Sequence, residues 1–231
     1  MFWWLFLLCP IAYLIGSFNV AKTVTKMRPV DLSKVGSGNA GATNVGRAMG
    51  FKWFLLVTIL ECLKCASVAV IGYLFVSFYN DAFTFYQNEH YIIILAMGLS
   101  AVFGAIFPVW YGFKGGKGLA TLIGMAVVLN PLVMLIVFAI CIPLLALTRI
   151  MSVSTLLGVI GWASLSLCFD APLIAPVITL YCACVVLLLF SHRSNIARLC
   201  RGKEHKFTFK KKQPTTNVVS SDEKQTQNED K

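Results

Sequence analysis

Residues 36–47, GSGNAGATNVGR, hold the densest group of anion-binding side chains and glycines in the chain. Gly36, Gly38 and Gly41 meet the G-x-G-x-x-G spacing, and Glu61 lies twenty residues beyond Gly41. A dinucleotide fold places its ribose-binding acid there. The surroundings exclude that fold: the preceding PVDLSKV is no hydrophobic strand, and Glu61 falls inside a long apolar run. Phosphate chemistry of another kind remains. Glycines let a backbone approach an anion and turn its N–H groups toward it. Ser37, Asn39, Thr43 and Asn44 add neutral donors, and the Arg47 guanidinium is a fork matched to phosphate oxygens.

A second glycine-rich stretch, YGFKGGKG, carries Lys114, Gly115, Gly116 and Lys117. Gly112 to Gly116-Lys117 is one residue short of the P-loop spacing, and Gly118 stands where Ser or Thr should follow. RIMSVS adds Arg149, Ser152 and Ser154, and HRSNIARL adds His192 and Asn195. No paired carboxylates are spaced for glycosidase-type acid and base work, and no nucleophile triad is suggested. Cys62 and Cys65 form a C-x-x-C with no further ligands at matching spacing, which is helix packing and not a metal site. A transfer reaction here would use no metal or cofactor. It would rely on positioning and electrostatics, with a donor that is already activated.

The elements that carry these groups follow from composition. The chain is 58% hydrophobic and 13% charged, with a mean hydropathy of +0.76. Apolar residues come in long runs, as in a helical, polytopic membrane protein. The net charge of +10 is no nucleic-acid signature, because half of the 20 Lys and Arg residues follow Phe190. Basic residues beside a membrane segment mark its cytoplasmic flank. The first run, from residue 2, has no basic residue before it, while Lys22, Lys26, Arg28 and Lys34 follow. The N-terminus is therefore expected outside. Further helices are expected over Trp53–Phe78, Tyr91–Trp110, Ser154–Phe169 and Pro172–Phe190, with YNDAFTFYQNEH as an external loop. A single crossing by Leu119–Leu147 would leave the basic C-terminus outside, so two short or tilted helices broken near Asn130-Pro131 are expected there. Pro143 offers a further break. The expected architecture is all-α with about seven spans and a cytoplasmic C-terminus. Residues 1–206 form one membrane-embedded unit, and 207–231 a polar, disordered tail. On this topology all four polar clusters share the cytoplasmic face.

GSGNAGATNVGR, YGFKGGKGLAT and HRSNIARLCRGKE, in that order, resemble the bacterial acyl-phosphate:glycerol-3-phosphate acyltransferases, the PlsY family, over about residues 10–206. AYLIGS in the first run fits the family's opening. The resemblance implies a seven-helix enzyme of the bacterial cell membrane with a cytoplasmic site. It would transfer an acyl group from acyl phosphate, not acyl-CoA or acyl carrier protein, to the 1-hydroxyl of glycerol 3-phosphate. By motif position it places Ser37, His192 and Asn195 at the catalytic centre. Phosphate groups would lie on Gly36, Gly38, Asn39, Thr43, Asn44, Arg47, Lys114, Gly115, Gly116, Lys117 and Ser152. Two positions depart from the family: Ala105 stands where a His is usual, and Glu61-Cys62-Leu63-Lys64-Cys65 replaces Asp-x-x-Lys-Gly. They leave room for an inactive relative. An anion transporter would gather similar groups, but at the midplane of inverted repeats. No internal repeat is evident here.

Overall fold

Lipid offers no partner for backbone N–H and C=O groups, so the long apolar runs satisfy themselves as helices. The computed structural model describes residues 5–28, 30–80, 89–169 and 171–207. Ten α-helices lie among them: α1 Leu5–Ser17, α2 Val20–Lys26, α3 Ala42–Met49, α4 Phe51–Asn80, α5 Glu89–Ile106, α6 Leu119–Leu129, α7 Pro131–Thr148, α8 Met151–Phe169, α9 Ala175–Ser191 and α10 Arg193–Cys200. Most of the expected external loop and the tail from residue 208 fall outside the described residues.

Five segments are long and apolar enough to cross a bilayer, namely 7–26, 51–78, 90–111, 131–148 and 151–169. The α9–α10 pair, bent by 61°, makes a sixth if taken as one span. At 1.5 Å per residue, α6 reaches only about 16 Å, half of a bilayer's hydrocarbon depth. The chain is thus a multi-pass membrane protein, and its packing is graded accordingly. The α5 span is 61% buried and the α7 span 17%. α5 is therefore the central post, with α1, α4, α6 and α9 against it. α7 turns Leu132, Leu135, Ile140 and Leu147 outward, where lipid is the only apolar solvent for them. Added Cβ atoms at Gly16 and Gly104 would stand 2.1 Å from the Ala101 carbonyl oxygen and 2.3 Å from that of Tyr13. Glycine at both positions lets α1 and α5 cross backbone to backbone.

The first apolar run is not one helix. It breaks at Phe18-Asn19, and two charged residues of α4 take up the groups that the break frees. Lys64 Nζ donates to the carbonyls of Gly16 (3.0 Å) and Phe18 (2.7 Å). Glu61 Oε1 accepts the Val20 N–H at 3.0 Å, and Oε2 accepts Lys64 Nζ at 2.6 Å and the Thr121 hydroxyl at 3.3 Å. Asn19 caps α2 by accepting the Lys22 N–H at 2.8 Å and donates to the Ala40 carbonyl at 3.2 Å. The ribose-acid position of the spurious fingerprint is therefore a structural clamp.

The break near Asn130-Pro131 stands where the sequence placed it. Asn130 Oδ1 accepts from Ser166 Oγ (3.2 Å) and Tyr181 OH (2.9 Å), which ties the α6–α7 turn to α8 and α9. Pro143 makes no break, because α7 runs through it. An apolar helix in a bilayer tolerates the lost hydrogen bond better than one in water.

The Glu61 and Lys64 side chains are only 12% and 10% exposed. Lys64→Met strands a buried carboxylate, and the expected loss of stability is about 3–5 kcal/mol. A lowered unfolding midpoint in detergent, partly restored in the Glu61→Gln/Lys64→Met double variant, checks this.

Candidate active site

The first glycine stretch is half loop and half helix. Gly36 and Gly38 adopt φ of +52° and +69°, conformations that favour glycine. The chain then enters α3 at Ala42, so Thr43, Asn44 and Arg47 project from a helix. Asn44 locks the two halves together: its Oδ1 accepts the Ser37 N–H at 3.3 Å and its Nδ2 donates to the Leu32 carbonyl at 2.9 Å.

The second glycine stretch works differently from its sequence reading. Gly115 N–H donates to the Ile106 carbonyl at 3.1 Å and Gly116 N–H to the Ala105 carbonyl at 3.0 Å. These bonds satisfy the carbonyls that α5 leaves open at its end. A Cβ on Gly115 would stand 2.3 Å from the Ala105 carbonyl oxygen, so glycine is required for helix closure and not for an anion nest. Lys114 is exposed, and its carbonyl accepts Lys22 Nζ. Lys117 turns inward, where Nζ donates to Asn195 Oδ1.

One cavity of about 340 Å³ receives most of the expected groups. Ser37, Asn39, Thr43, Asn44 and Arg47 line it from the first stretch, and Gly116 and Lys117 from the second. Ser152, His192 and Asn195 complete the set. Gly36, Gly38, Lys114 and Gly115 lie off its wall. The structure adds Asn19, Glu61, Thr121, Thr155 and Glu204. Arg149 is not on the wall either; its carbonyl accepts the Phe207 N–H. Four helices also begin on this wall: α3 at Ala42, α6 at Leu119, α8 at Met151 and α10 just after His192. The caps of α3 and α6, Gly41 and Gly118, supply no side-chain acceptor for the first N–H groups. The starts of α3, α6 and α8 add partial positive charge to this wall, while the α9 end at His192 offsets that of α10.

Side-chain electrostatics reinforce this. Asn195 Nδ2 donates to Glu204 Oε1 at 2.6 Å, and Arg198 Nε donates to Glu204 Oε2 at 2.8 Å. A chain of hydrogen bonds therefore runs from Lys117 through Asn195 and Glu204 to Arg198. Burial alone would raise the Glu204 pKa, but the hydrogen bonds from Arg198 and Asn195 and the Arg198 charge hold it below its ordinary value. Burial pushes Lys117 down to about 8, with the Arg198 and Arg47 charges adding to the shift against the pull of Glu204. Burial likewise lowers Arg47. The His192 Nδ1 lies 2.9 Å from the Leu188 carbonyl, which can only accept, so the proton sits on Nδ1 and Nε2 offers the lone pair. The Ser152 hydroxyl is buried beside Glu204 without a hydrogen bond of ordinary geometry. A second cavity of about 130 Å³ adjoins the first and shares Leu119, Ile123, Phe138, Ile142, Met151 and Thr155 with it. The first cavity gathers the charged and polar groups, and the lining of the second is almost wholly apolar.

A family model described as glycerol-3-phosphate acyltransferase matches residues 6–202. The glycerol-3-phosphate acyltransferase of Aquifex aeolicus is 39% identical over 198 residues, covering 85% of this chain and 95% of that protein. That of Thermoanaerobacter pseudethanolicus is 36% identical over 197 residues, covering 85% and 92%. Among solved structures, PlsY, an integral membrane glycerol 3-phosphate acyltransferase, is similar in two crystal forms. Its glycerol 3-phosphate form superposes with a TM-score of 0.77 at 33% identity, covering 88% of this chain and 96% of that one. Its lysophosphatidic acid form gives 0.74 at 32%, covering 89% and 96%.

The Lys117 shift predicts a pH dependence with a definite sign. Its ammonium is present below about 8 and lost above, so affinity for inorganic phosphate should fall as pH rises through that value. Calorimetric titration across this range checks it, with Lys117→Met expected to bind more weakly and to lose the step.

Proposed function

The chain belongs to the glycerol-3-phosphate acyltransferase family, and on that premise we propose that it acylates the 1-hydroxyl of glycerol 3-phosphate with acyl phosphate as donor. The products are 1-acyl-glycerol 3-phosphate and inorganic phosphate. The observation that carries this reading is a pair of adjoining cavities that share six lining residues, one holding Arg47, Lys117 and four helix starts and the other apolar. Acyl phosphate needs both ends, and a mixed anhydride is activated already, so transfer needs no covalent intermediate on the protein.

The hydroxyl oxygen attacks the acyl carbonyl carbon, a new ester C–O bond forms, and the bond from that carbon to the phosphate oxygen breaks. The leaving electron pair goes to phosphate. His192 Nε2 takes the hydroxyl proton, aided by the substrate's own phosphate, while the Leu188 carbonyl fixes the ring. Arg47 and Lys117 hold the two phosphates and the charge that grows on the leaving one. Asn195 aims Lys117 and is itself held by Glu204. Ser37 and Ser152 offer hydroxyls to substrate oxygens, with Asn39, Thr43 and the open N–H groups of α3 beside them.

We place the site on the cytoplasmic face of the bacterial cell membrane. Lys22, Lys26, Arg28, Lys34, Lys114 and Lys117 all belong to the segments around the site, as the positive-inside bias requires.

Purified protein in detergent, given acyl phosphate and glycerol 3-phosphate, should release phosphate only when both are present. Arg47→Ala and Lys117→Ala should each lower kcat/KM by about 10²–10³, and His192→Ala should lower kcat by about 10²–10⁴. Transfer from acyl-CoA but not from acyl phosphate would overturn the donor, and undiminished release in Arg47→Ala and Lys117→Ala would overturn the site.

A further inference from the structure

The adjoining apolar cavity has a floor as well as a mouth. One face of α8 lines it at helical spacing, with Met151, Ser154, Thr155, Gly158, Val159 and Trp162 in sequence order. Met151 and Thr155 also border the polar cavity, and Trp162 does not. Eleven residues separate Met151 from Trp162, a depth of about 16 Å along the helix. Trp162 is 1% exposed and is fixed from behind: its ring lies 4.9 Å from that of Tyr181, whose hydroxyl donates to Asn130. Ile142 borders both cavities and is 63% exposed, so the space opens sideways toward the bilayer.

An apolar cavity that meets a phosphate site on one side and lipid on another suits a hydrocarbon chain better than water. Resting on the acyltransferase reading above, we propose that this cleft between α6, α7 and α8 measures the acyl chain, with Trp162 as the stop that sets the longest chain accepted. The chain enters past Ile142 with its acyl phosphate head at Lys117 and lies along α8. A chain that reaches Trp162 before its head is seated loses the near-attack geometry and is transferred slowly. Gly158 forms the waist of the cleft, because a Cβ there would meet Cys141 Sγ at 3.1 Å and Val137 Cγ1 at 3.7 Å.

The test measures kcat/KM for acyl phosphates of graded length, with glycerol 3-phosphate as acceptor, in the full-length protein. Trp162→Ala should raise the long-to-short ratio at least about tenfold, and Trp162→Phe should raise it less. Gly158→Val should lower it, since the waist closes above the stop. Should Trp162→Ala fail to fold, the opposed shifts of Trp162→Phe and Gly158→Val carry the test. A length profile that stays the same in every folded variant, with transfer intact, overturns the ruler and leaves the acyltransferase reading standing. A wild-type protein inert toward acyl phosphates of every length overturns that reading and the ruler with it.

Discussion

An anion can be held inside an apolar bundle only if the surrounding protein supplies positive potential that water cannot drain away. Here α3, α6 and α8 start on one wall, and their first N–H groups add positive potential before any side chain is counted. That potential does not titrate. Arg47 and Lys117 sit within it and against each other, and burial is the main reason that both pKa values fall. Glu204 offsets part of the repulsion by bonding Asn195 and Arg198, and it leaves Lys117 with one neutral partner. The buried cations thus favour negative charge beside them.

Bringing so many helix starts together requires helices to break inside the membrane, and each break frees backbone groups that lipid cannot satisfy. Glu61 and Lys64 on α4 take up those at the α1–α2 break. Asn19, at the same break, reaches the Ala40 carbonyl and so fixes the glycine stretch that leads to α3. Gly115 and Gly116 fold back on the carbonyls of Ala105 and Ile106, which closes α5 and leaves Gly118 positioned to start α6. Ala40 and Gly116 are in contact distance, since a Cβ on Gly116 would lie 3.1 Å from the Ala40 carbonyl oxygen. Scaffold and site are consequently one set of contacts. The Ala105 carbonyl has a backbone duty of its own, since it accepts the Gly116 N–H.

Much of this was legible in the residues. Hydropathy places the chain in a membrane, and Asn130-Pro131 reads as a helix break, where α6 gives way to α7. The polar clusters around Arg47, Lys117, Ser152 and His192 were readable as one site, because helices ending on the same side bring their ends together. These inferences rest on spacing and on the solvent, which act along the chain whatever its partners are. Glycine is ambiguous in sequence, because the same residue serves as an anion nest, a helix closure or a crossing point. Only the neighbour 2.3 Å from a missing Cβ tells Gly115 apart from the others. The sequence reading placed neither Glu61 nor Glu204 at the site, although both line the cavity. Val20 and Thr121, the partners of Glu61 on α2 and α6, acquire meaning only when helices meet, whereas Glu204 turns back on the nearby Asn195 and Arg198. Local pattern decides which segments enter the lipid and which residues can meet an anion. Packing across the bundle decides which of those residues face the cavity, because burial and partner geometry belong to no single segment.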